Sequence, residues 1–148
     1  SPPAPLMEAI QNLEAAGVAV FIAAGNESDD TSFYIPAGYD EGCIVSAYDS
    51  DGGDNGFADF SNFGNEVDVA APGVNITSTW NNGDYAAISG TSMATPHVAG
   101  AMAAYFAENP GATAEQARQD VISTGENGYQ GQGGDHSEPM VDVAALTQ

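Results

Sequence analysis

Gly90-Thr91-Ser92-Met93-Ala94-Thr95-Pro96-His97-Val98-Ala99-Gly100 is the stretch of this sequence best suited to chemistry. Ser92 falls where a strand pattern, Tyr85 to Ile88, gives way to a helical one, and Gly90 permits a tight backbone approach. A hydroxyl at that point lies near the positive end of a helix dipole and near N–H groups that the helix leaves unpaired. Such a setting favours negative charge on a bound oxygen, as the intermediate of acyl transfer requires. The same position also suits a plain N-cap, and on residue chemistry alone the cap is the commoner use of a serine there. Asn26, taken alone, is a turn residue closing an apolar run. Of the two histidines, His97 lies five residues along the helix of Ser92. At about 100° per residue it points away from the serine, so a structural role is assigned. His136, in an acidic and glycine-rich stretch, reads as solvated. The single Cys43 cannot form an internal disulfide, and within Cys43-Ile44-Val45 it reads as a buried structural thiol. One cysteine and two distant histidines give no zinc-ligand spacing.

The elements around these residues alternate helix and strand. Leu6, Ile10 and Leu13 recur at helical spacing beside Met7, with Gly17 at a C′ position, which predicts a helix over 4–16. Val18 to Ala23 is continuously apolar and partly β-branched, as in a strand buried on both faces of a parallel sheet. Further strands are expected at 43–47 and 67–70, and a hairpin of 76–80 with 85–88 around Asn81-Asn82-Gly83-Asp84. A helix over 92–107 follows. Another starts at Thr113, where Thr113-Ala114-Glu115-Gln116 fits a capping box, and ends near Gly125. The stretches 49–66 and 125–134 read mostly as loop, and 141–146 as a final short helix. The order predicts one α/β domain, without internal repeats or linker.

Charge limits the partners. The 148 residues carry 21 acids against one base, Arg118, for a net charge of −20. Nucleic acid is excluded, because phosphate neutralisation needs lysine and arginine. No apolar run of 18 residues is present to span a membrane. Ser1-Pro2-Pro3-Ala4-Pro5 has neither the basic nor the apolar region of a signal peptide, and the sequence reads as starting inside a longer protein. The dispersed acids describe a folded domain whose self-repulsion must be screened by concentrated salt, a composition that resembles proteins of halophiles; the other reading is an acidic secreted protein.

The eleven residues from Gly90 to Gly100 resemble the active-site serine signature of the subtilases. Ala23-Ala24-Gly25-Asn26 is similar to the family's strand end that carries an oxyanion-hole asparagine. Phe60-Ser61-Asn62-Phe63-Gly64 and Val67-Asp68-Val69-Ala70-Ala71-Pro72-Gly73 are similar to the stretch leading to the nucleophile, and the resemblance covers residues 4–124. It implies a three-layer, parallel-sheet subtilisin-like α/β fold, of which residues 1–148 form the C-terminal part of the catalytic domain. It implies Ser92 as nucleophile, with Asn26 and the Ser92 N–H as oxyanion donors. Ala23, Ala24 and Gly25 would wall the pocket for the substrate residue before the cut, with Tyr34 near its floor. Met93 would be the methionine whose oxidation impairs such enzymes. The triad aspartate and histidine would lie in an N-terminal half outside this chain, leaving Ser92 here without a base. No cofactor is implied for the chemistry. A structural calcium or sodium ion is implied at the carbonyls of Ala37, Tyr39 and Gly42 with the Asp68 carboxylate. The implied partners are a peptide or protein substrate and the N-terminal half, and the implied location is extracellular. Asp135 to Asp142 stands where the family has Gly-x-Gly before its last helix, so the C-terminal docking is expected to differ. The competing reading is a binding module, or a truncated product, derived from such an enzyme.

Overall fold

Three parallel strands, in the order β1-β2-β3, carry the architecture of the computed structural model, which describes residues 4–50, 56–127 and 135–148. They are β1 (Phe21–Ala23), β2 (Cys43–Tyr48) and β3 (Val69–Pro72), in register Phe21↔Cys43 and Val45↔Val69. Around them are α1 (Ala4–Ala15), the antiparallel hairpin β4 (Ile76–Thr79) and β5 (Tyr85–Ile88), α2 (Thr91–Glu108), α3 (Ala114–Thr124) and the short α4 (Val143–Leu146). Alternation along β2 divides the core. Cys43, Val45 and Ala47 face α2, α3 and α4, packing with Val98, Met102, Val121 and Leu146. Ile44 faces the other way and packs with Ile22 and with Ile10 of α1. Helices therefore cover both faces, giving the three layers expected.

Local chemistry sets the boundaries. Gly17, at φ +83°, turns the chain after α1, and the Gly17 and Val18 N–H groups bond back to the carbonyls of Glu14 and Leu13. Thr113 and Gln116 form the predicted capping box at the start of α3. The strand expected over 18–23 is regular only from Phe21 to Ala23, because residues 18–20 meet no neighbouring strand among those described; only the Cys43 N–H reaches the Val20 carbonyl. The loops expected over 49–66 and 125–134 fall partly on 51–55 and 128–134, outside the described residues.

The C-terminal segment docks beside β3, where Ala70 N–H donates to the Pro139 carbonyl and Val141 N–H to the Ala70 carbonyl. Here His136 departs from the solvated reading. Its ring stacks on Phe57 at 3.5 Å, and its Nδ1 lies 3.0 Å from a carboxylate oxygen of the buried Glu138. Glu138 in turn accepts a hydrogen bond from the Ser46 hydroxyl of β2. Phe57 and Phe63, whose ring meets His136 edge-on, lie 79 and 73 positions earlier and cannot be seen as neighbours from the composition around His136. Cys43 is buried, which pushes its thiol far above the ordinary value, as a structural role requires.

Candidate active site

The start of α2 lacks the usual cap. Its N-cap is Gly90, at φ +156°, with no side chain to bond the first turn. Ser92 stands inside the helix, so the N-cap role that its residue type suggested is not the one it has. Of the first four N–H groups, Met93 and Ala94 bond to the Gly90 carbonyl, and Thr91 bonds to Asn26 Oδ1 at 2.9 Å. The Ser92 N–H alone keeps no partner among the described residues. A free donor at the positive end of an 18-residue helix thus belongs to the residue with the exposed hydroxyl.

Asn26 is brought to this point by the end of β1. Its Oδ1 accepts from both the N–H of Thr91 and, at 3.0 Å, the Thr91 hydroxyl, while that hydroxyl accepts from Gly25 N–H at 3.2 Å. With the oxygen end of the amide fixed, its Nδ2 is the end left to donate. A Cβ on Gly90 would make only ordinary contact with the Asn26 amide, 3.7 Å from both Oδ1 and Nδ2, so it is the backbone at φ +156° that favours glycine there. Thr91, the neighbour of Ser92, ties the Asn26 amide to the start of α2, so two donors without a partner among the described residues, the Ser92 N–H and Asn26 Nδ2, lie on joined ends of α2 and β1; donors of this kind can hold a developing oxyanion.

Ala24 is fully buried and Gly25 partly so, each held in place, Ala24 by its N–H to the Val45 carbonyl and Gly25 by Thr91. Together with Ala23 they continue from β1 to Asn26. Tyr34 makes no hydrogen bond to them among the described residues; its hydroxyl donates to Asp29 Oδ2 at 3.2 Å. Ser92 and Met93 border a cleft of about 320 Å³ completed by Ile76, Thr77, Ser78, Pro96 and His97. His97 thus borders the same cleft as Ser92 although its spacing was expected to turn it away, and its Nδ1 lies 2.8 Å from the Met93 carbonyl on its own helix. The Ser92 hydroxyl has no hydrogen-bond partner among the described residues. Thr91 of the serine signature and Asn62 of the Phe60–Gly64 motif have no chemistry that the sequence alone assigns. The structure gives both a place at the site.

The oxygens expected to hold a cation are unequally available. The carbonyls of Ala37, Tyr39 and Gly42 accept no hydrogen bond among the described residues, which fits a hard ion. Asp68 is already engaged: Oδ1 accepts from Arg118 Nε and Nη2 at 3.1 and 3.0 Å, and Oδ2 accepts from Ile44 N–H at 2.8 Å. Arg118 also donates to the Asp40 carbonyl at 2.8 Å. Burial raises the Asp68 carboxyl above its ordinary value, against the downward pull of Ile44 N–H and Arg118. The carboxylate charge is therefore countered from within the chain.

The sequence pattern of the subtilase family matches residues 1–138. Proteinase T of Parengyodontium album is 48% identical over 98 residues, which are 66% of this chain and 32% of that protein. Subtilisin DY of Bacillus licheniformis is 40% identical across 97% of this chain and 52% of its own length. Among solved structures, a protease from Pseudoalteromonas arctica superposes with a TM-score of 0.84 at 31% identity, covering 95% of this chain and 45% of that one. The chain thus spans about a third to a half of the length of these relatives.

Proposed function

Because the chain belongs to the subtilase family, we propose that it carries the nucleophile and the oxyanion hole of a serine endopeptidase. The observation that supports this most is the free Ser92 N–H beside an Asn26 amide whose oxygen is held by Thr91. In the proposed reaction Ser92 Oγ attacks the scissile carbonyl, and the oxygen that gains charge is received by the Ser92 N–H and Asn26 Nδ2. Both donors are in place before charge develops, so little reorganisation is needed. The proton lost by Ser92 needs a base, and His97, whose Nδ1 faces the Met93 carbonyl, makes no hydrogen bond to the Ser92 hydroxyl among the described residues. Base and orienting carboxylate are proposed to come from an N-terminal half that completes the domain. Ala23, Ala24 and Gly25 wall the pocket before the cut, with Tyr34 toward its floor.

The substrate is a peptide or protein, and no cofactor enters the chemistry. The acid excess suits secretion into concentrated salt. A calcium or sodium ion is proposed at the carbonyls of Ala37, Tyr39 and Gly42, with Asp68 shared with Arg118. A rise in the unfolding midpoint on adding either ion, reversed by its removal, tests that site.

The central test is reconstitution. Co-expression with the N-terminal half of a subtilisin relative, in high salt, is expected to give a soluble hybrid that cleaves peptides and labels Ser92 with a serine-directed phosphonate. The chain alone is expected to do neither, and Ser92→Ala is expected to abolish both in the hybrid. A folded hybrid that stays inactive with Ser92 and Asn26 intact overturns the enzyme reading in favour of a binding module.

A further inference from the structure

Phe60 to Phe63 runs alongside the loop that carries Asn26. Asn62 N–H donates to the Gly25 carbonyl, Ser28 N–H to Phe60, Phe63 N–H to Asp29 and Thr31 N–H to Phe63, all between 2.8 and 3.1 Å. The Ser61 hydroxyl accepts from Ala47 N–H at 3.0 Å, so this segment is anchored on the central strand. The Asn62 side chain, fully buried, turns into the loop. Its Oδ1 accepts from the N–H groups of Glu27 and Asp29 at 2.8 and 3.1 Å. Its Nδ2 donates to the Ala24 carbonyl at 3.1 Å and to Glu27 Oε2 at 2.8 Å, and the same Oε2 accepts from Asn26 N–H at 2.8 Å. Both donor hydrogens and both acceptor sites of the amide are used, and the reversed amide would face donor to donor. The packing is close: a Cβ on Gly25, at φ +109°, would lie 2.3 Å from Asn62 Nδ2.

We propose that Asn62 is a positioning residue for the Ser92 reaction, fixing the main chain of the Asn26 loop from one side while Thr91 fixes the Asn26 side chain from the other. The proposal rests on the reading of Asn26 as an oxyanion donor. Such a donor acts through preorganisation, and a displacement of about 1 Å costs on the order of 10²-fold in rate. Asn62 never touches the substrate; it acts on the residue that does.

A double-mutant cycle in the active hybrid separates this role from simple support of the fold. Asn26→Ala alone is expected to lower kcat by roughly 10²–10³, the loss known for a subtilisin's oxyanion asparagine. Asn62→Ala is expected to lower kcat by roughly tenfold or more while Asn26 is present, because two N–H groups and a carboxylate lose their partner. In the Asn26→Ala background the same change is expected to cost less than about threefold, since no donor remains to be aimed. If truncation at 62 prevents folding, Glu27→Ala, at an exposed position, cuts the link from Asn62 to the Asn26 N–H and enters the same cycle. Equal losses in both backgrounds, or an unchanged kcat on changing either residue, would overturn the positioning role. An Asn26→Ala variant with undiminished kcat would instead remove the oxyanion reading itself.

Discussion

The Thr91 hydroxyl holds the acceptor end of the Asn26 amide and also receives the Gly25 N–H, so its removal should mis-aim the proposed oxyanion donor without opening the site. Thr91→Val keeps the shape and leaves the partly buried Gly25 N–H short of a partner, at a cost of about 1–3 kcal/mol. We expect kcat of the reconstituted enzyme to fall by roughly 5- to 100-fold with KM little changed, because the contact matters most when charge has developed. A change confined to KM would assign Thr91 to substrate binding instead. Ser92 and Asn26 could be singled out from the sequence because their short motifs resemble those of the subtilases; by residue type alone Ser92 suited an N-cap and Asn26 a turn. Thr91 could not, since its partner Asn26 is 65 positions away and only the fold brings them together. The same holds for Asn62, whose four bonds reach back more than 30 residues. His136 erred in the other direction: its acidic neighbours in sequence suggested solvent, whereas Phe57 and Glu138 enclose it.

Elements were legible where their signals are local. The C′ glycine of α1, the capping box of α3 and the hairpin turn lie within a few residues of the boundary they set, and those boundaries agree to within about two residues. Strand length is not local, which is why β1 is shorter than its apolar run. Nor could the sequence disclose that the sole cation would tie α3 to the sheet. Arg118 and Asp68 have side chains only 14% and 8% exposed, 3.0 Å apart. Arg118→Met would leave the carboxylate buried without its counter-charge, and we expect a loss of roughly 3 kcal/mol at neutral pH, at the low end for a buried pair. With the guanidinium gone, the Asp68 carboxyl, already raised by burial, rises further. A carboxyl raised in the folded state favours folding below its unfolded value and loses that contribution as pH climbs through the folded one. The deficit of the variant should therefore shrink toward acid pH, where Asp68 is protonated. Denaturant unfolding of both proteins across that range checks it; a deficit independent of pH would show that Arg118 acts by packing alone.

For the whole molecule, charge and the open side of the sheet pull in opposite directions. A net charge of −20 expands the chain, and screening shortens from about 10 Å at 0.1 M salt to about 3 Å at 1 M, so cooperative folding is expected only in molar salt. Circular dichroism through a salt series decides this, and a cooperative fold in dilute buffer would remove the need for a saline setting. The same screening exposes the chain to association. β1 pairs with β2 on one side and with no strand on the other among the described residues. Just before β1 Val18 is 50% exposed, and on α1, where only Ile10 is buried, Leu6 and Leu13 are 42% and 45% exposed. An unpaired edge beside apolar side chains is a template for another chain. In molar salt the chain alone is thus expected to self-associate, and the reconstituted hybrid to sediment as a monomer, the added half having taken the edge. Val18→Lys should keep the lone chain dispersed and, by the same charge, impair assembly with the N-terminal half. If the lone chain instead stays monomeric in molar salt at concentrations where the hybrid assembles, the edge is not what joins the two halves, and the contact must be sought at the cleft of β4 and α2.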